Sequence, residues 1–149
     1  MDINERKARF FARTMHTPDD DARAAMRAAL RASSKALIPL HRSLIDAARS
    51  DYSFAFGPID HPTKLLQLLG EDPFFTWLKP LTALIVDIDE LARRDFQPEE
   101  AVAIADRIDR LFGAEAEPHF AAKYVPILQK DVDVAVGHAA LRKAAAGLR

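Results

Sequence analysis

A chain of 149 residues, 49% of them hydrophobic and 29% charged, has the size and balance of one folded domain with a real core. It contains no cysteine, which excludes disulfides, thiolate zinc sites, iron–sulfur clusters and a cysteine nucleophile. The net charge of −1 hides an asymmetry: residues 1–50 hold ten Lys and Arg against six Asp and Glu, or +4, and the remainder eleven against sixteen, or −5.

The opening residues, MDINERKARFF, are charged and lack the apolar stretch and small-residue cleavage site of a secretory signal. Apolar runs such as Ala83 to Val86 fall far short of a membrane span. The expectation is a cytoplasmic protein forming a single domain over residues 1–149.

Prolines punctuate the chain. Pro18, Pro62, Pro73, Pro98 and Pro118 each precede a helix-favouring stretch, where the missing N–H costs nothing at the first helical position. Thr17 and the acidic residues Asp19 and Asp20 suit the first helix start, and Asp72 is a good N-cap. In the first long helix Met26, Leu30, Ser33, Leu37, Leu40, Leu44 and Ala48 recur at three and four and form one face. Pro39 interrupts it and predicts a kink or break near Leu37. Residues 51–61, DYSFAFGPIDH, read as a loop folded back over the core. A short helix from Pro62 to Leu69 ends at Gly70. A central helix running to about Arg93 follows, with Phe74, Leu78, Leu81, Ile85, Ile88 and Ala92 in one stripe and Trp77, Leu84 and Leu91 widening it. Pro80 predicts either a kink there or a separate first turn. Helices from Pro98 to Phe112, from Pro118 to about Lys130, and from Asp131 or Asp133 to the C-terminus complete an all-α bundle of five to seven helices.

The stretch from His61-Pro62 through LLQLLGEDPFFTWLKPLTALIVDIDEL, with KDVDVAVGHAALRK near the end, resembles small bacterial helical proteins of uncharacterised type. DPFFTWLKPL is its most distinctive part. The resemblance implies no activity, cofactor or site residue.

Candidate chemistry is sparse. Phe54, Phe56, Phe74 and Trp77 could meet where the loop joins the central helix, as a core plug, a hydrophobic ligand pocket or a docking patch. His41 and His61 could serve such a pocket as polar handles. The histidines form no helical pair, and neither Glu-x-x-His nor HExxH occurs, so no metal or cofactor is expected. With five glycines at scattered positions there is no phosphate loop, and Ser33 has no nucleophile-elbow context. Asp89, at the edge of the central stripe, is expected to pair with an arginine of the first helix. Arg27, Arg31, Lys35, Arg42 and Arg49 form a basic row opposite the leucine face. That row could track phosphates, but the rest of the chain cancels its charge and no aromatic residues interleave with it, so nucleic acid is ranked low. It could instead face Glu99, Glu100, Asp106 and Asp109 of a second copy. No catalytic constellation is found. The first reading is therefore a non-enzymatic interaction or accessory protein, with a protein partner or a homodimer. The alternative is a small-molecule-binding bundle built on the aromatic cluster.

Overall fold

The computed structural model describes residues 3–7, which are helical, and residues 18–149. His16 and the expected cap at Thr17 lie outside them. Among the described residues there is no strand, and the fold is all-α.

The first long element, α1 (Pro18–Phe56), is one unbroken helix of 39 residues, about 58 Å long at 1.5 Å per residue. Pro39 lies inside it without a break, which corrects the break expected near Leu37. A helix-interior proline costs about 3 kcal/mol. Leu30, Leu37, Leu40 and Leu44, all fully buried on both sides of it, outweigh that cost, because each buried leucine contributes about 1.5–3 kcal/mol. The helix also absorbs residues 51–56, expected as loop. It stops at Gly57, whose φ of +91° is open to glycine at little cost and whose N–H reaches the Ser53 carbonyl at 2.9 Å.

The next elements are α2 (Pro62–Glu71), the single turn α3 (Pro73–Thr76) and α4 (Lys79–Arg93). Asp72 caps α3 by accepting from the Phe74 N–H at 2.9 Å. The opening of the central helix is thus a separate turn, one of the two arrangements expected from Pro80. Then come α5 (Pro98–Phe112), α6 (Pro118–Lys130), α7 (Val132–Ala145) and a closing 3-10 turn, Ala146–Leu148. Glu117 accepts the His119 and Phe120 N–H groups at the start of α6, and Asp131 those of Asp133 and Val134 at the start of α7.

The long α1 is the mast of the bundle: α7 and α4 pack along it and α5 and α6 close the far side. The closing turn returns to the front half of α1. A methyl at Gly147 would stand 2.9 Å from Ala29 Cβ, so a glycine allows that contact. No helix among the described residues is long and apolar enough to cross a membrane.

Candidate functional site

The expected four-ring cluster is divided by the helical extension of α1. Phe54 points away from the core and is 96% exposed. Phe56 stays near the surface, edge-on to Phe74 with centroids 5.5 Å apart, and both rings contact Tyr52. Trp77 faces the other way: it is buried, its ring lies 5.4 Å from that of Phe120, and its Nε1–H donates to the Phe74 carbonyl at 2.9 Å. Phe120, Tyr124 and Phe112 continue this second group, which ends at His138, whose Nδ1 is 2.6 Å from the Tyr124 hydroxyl. Phe74 and Trp77 line a shallow cleft of about 420 Å³ between α1 and α6; Phe54 and Phe56 do not take part in it.

His61 is exposed at the N-terminal end of α2 and caps nothing with its side chain. His41 is half-buried in a different cleft of about 580 Å³, with Ile45, Leu69, Phe75 and Val86. Its Nε2 lies 3.0 Å from Thr82 Oγ1, and the Thr82 hydroxyl donates to the Leu78 carbonyl at 3.3 Å. Which of the two groups donates in the His41–Thr82 contact follows the imidazole tautomer. Burial holds the His41 imidazole below its ordinary pKa, so the neutral ring is favoured.

The basic row does not act as a unit. Arg27 turns back onto the protein and is tied to the end of α4. Arg31 and Arg49 are exposed, while Lys35 and Arg42 flank a groove. The acidic surface expected to face a second copy is also engaged within the chain. Glu100 pairs with Arg94 at 2.9 Å, Asp106 with Arg149 at 2.8 Å, and Asp109 with Arg142 and Arg149 at 2.6 Å each. These bonds hold the Asp109 and Glu100 carboxyls below the usual carboxylate range, the Arg142 and Arg94 hydrogen bonds leading respectively. Asp89 pairs with Arg93 of its own helix at 3.0 Å, not with α1, and Asp87 instead takes Arg107 of α5 at 2.7 Å. Ser33 is fully buried, and its hydroxyl has no hydrogen-bond partner among the described residues.

A feature that sequence reasoning missed is the groove of about 830 Å³ between α1 and α7. Its α1 wall is Ala32, Ala36, Pro39 and Ser43; its α7 wall is Val136, Gly137, Ala140 and Ala144. Four of these eight residues are alanine and one is glycine, so the helix backbones lie near the surface. Helix α7 buries Val134 and Leu141 against the core yet leaves Val132 76% and Val136 64% exposed. A helix apolar on more than one side is ordinarily covered on more than one side. Gly137 sharpens the point. A methyl built there would meet Leu40 at 3.5 Å, ordinary van der Waals contact, so packing inside the bundle does not require glycine. Mid-helix glycine costs about 0.5–1 kcal/mol relative to alanine. Lys35, Arg42, Lys143 and Asp133 line the groove, three positive charges and one negative, net +2. None of the four makes an ion pair among the described residues. The signal available in the sequence was the alanine and glycine spacing of VAVGHAALRKAAAG, which repeats every three to four residues.

Compared with protein-family models, with curated proteins and with solved structures, the chain matches none, and the bacterial resemblance drawn from its motifs has no counterpart there.

Proposed function

We propose that this protein is a non-enzymatic interaction module whose binding face is the groove between α1 and α7, which receives a helix of a partner protein. The carrying observation is the apolar outer side of α7, Val132 and Val136, beside a wall of alanine and glycine. Small walls let a helix backbone approach closely, the geometry used when an amphipathic helix lies in a groove. A photo-crosslinking amino acid at Val136, with the neighbouring exposed Ala135 as control, tests this in the host cell. The two side chains are about 100° apart around the helix. A protein adduct at position 136 and not at 135 is the expected result. Equal adducts, or none at either, count against the reading.

Self-association through this groove is disfavoured by charge, because a two-fold contact brings together two linings that each carry a net charge of +2 from Lys35, Arg42, Lys143 and Asp133. A homodimer is therefore the lesser form of the proposal, read by light scattering. A second reading, small-molecule binding, is favoured by one observation: the His41–Thr82 pair stands as a polar group in a mainly apolar cleft that Lys79 and Asp87 also line.

A further inference from the structure

Resting on the reading of the α1–α7 groove as an interaction face, we infer that its occupant is an acidic amphipathic helix of another protein. The apolar part of the recognition is Val136, Gly137 and Ala140, where a helix with leucines or alanines at three- and four-residue spacing would bury its stripe. The charged part is the rim. Lys35 and Arg42 on α1 and Lys143 on α7 are exposed and unpaired among the described residues, and Asp133 is the sole carboxylate of the lining. Elsewhere Arg93, Arg94, Arg107, Arg142 and Arg149 each meet a carboxylate and Arg27 meets carbonyls, while Arg31, Arg49 and Arg110 stay without an ion pair among the described residues but line no part of this groove. Open cations thus frame the groove, and an occupant carrying Glu or Asp on both flanks of its apolar stripe satisfies them. A second copy fits less well, since three of the four carboxylates expected to serve it, Glu100, Asp106 and Asp109, are already held by the chain's own arginines. A phosphate backbone would satisfy the rim but leave the apolar floor uncovered.

The probe is a fluorescent designed helix of about 18 residues, long enough to hold helical structure once seated, with a leucine–alanine stripe flanked by glutamate. Its twin carries lysine in place of every glutamate. Anisotropy titrations use the full chain and the double variant Lys35→Glu/Lys143→Glu, both surface changes. The acidic helix is expected to bind the native chain at least about tenfold more tightly than its twin, equivalent to about 1.4 kcal/mol. The preference should shrink toward 1 M salt, where the screening length is about 3 Å, and reverse in the double variant at an unchanged melting temperature. An acidic helix that binds no better than its twin, whether both bind or neither does, overturns the inference. So does a preference that the double variant leaves unmoved, or a random DNA duplex that displaces the acidic helix from the native chain. A protein adduct at Val136 would survive any of these outcomes, so the charge of the partner and the existence of the face are tested separately.

Discussion

Arg27 of α1 closes the far end of α4: its Nη1 donates to the Ala92 carbonyl at 2.6 Å and to the Arg94 carbonyl at 3.0 Å. The guanidinium carbon also stands 5.0 Å from the centre of the Phe96 ring. The last carbonyls of a helix have no partner within it and carry the negative end of its dipole, so a cation there is doubly suited. Arg27→Ala is expected to cost about 1.5–3 kcal/mol in urea melts, the range for hydrogen bonds to a charged group. Arg27→Lys should recover only part of this, because an ammonium lacks the flat guanidinium that covers the Phe96 ring while it donates to the carbonyls. A loss no larger than for Arg31→Ala would remove Arg27 from the framework.

Trp77 and Phe54 make an opposed pair. Trp77 is buried against Phe120, so Trp77→Ala is expected to cost about 3–5 kcal/mol. Phe54 is almost wholly exposed, so Phe54→Ala should change stability by no more than about 0.5 kcal/mol. Chemical melts of both variants check the division of the aromatic cluster directly.

Gly137→Ala should stabilise the fold by about 0.5–1 kcal/mol, since the added methyl meets Leu40 at an ordinary 3.5 Å and helix propensity improves. A thermal midpoint below that of the native chain would mean that Gly137 serves internal packing rather than an open groove.

Stability should fall in two stages on acidification. His41 and His138 both have folded pKa values held below the ordinary imidazole value, by burial first and, for His138, by Arg142 as well. A depressed folded pKa means that the unfolded chain takes up protons first, so this contribution is whole above about pH 6.5 and is lost as pH falls below it. Asp109, held down by Arg142 first and then Arg149, adds a second loss that begins only near pH 4 and runs through its lowered folded pKa. Half-exposed ion pairs of this kind are worth little each, so the first stage should be the clearer one. Urea midpoints for His41→Gln/His138→Gln should slope less between pH 7 and 5 than those of the native chain. An unchanged slope would assign the pH dependence to other groups.

Much of the architecture is legible in the sequence because proline and acidic caps act locally. Pro62, Pro73, Pro98 and Pro118 each open a helix, and Asp72 and Asp131 cap as their side chains dictate. Local signals fail where tertiary burial outweighs them. Pro39 sits inside an unbroken helix, and residues 51–56 extend α1, since Tyr52 is buried there. That extension turns Phe54 outward and separates it from Trp77. The basic row misleads for a similar reason: spacing places Arg27 and Arg31 on one face, but only the end of α4 determines that Arg27 turns inward. The α1–α7 groove is the least legible feature, because alanine and glycine give no strong apolar period and the groove exists only once two helices distant in sequence are side by side.

Occupancy of that groove is most directly measured by repeating the Val136 photo-crosslink in a Gly137→Leu background, in the host cell, alongside a thermal melt of the purified variant. The leucine adds bulk to the floor at a half-buried position without replacing a packed side chain. Loss of the protein adduct with the melting temperature retained is the expected result. An adduct undiminished by the leucine, in a protein that still folds, would place the partner elsewhere and contradict the groove as the binding face.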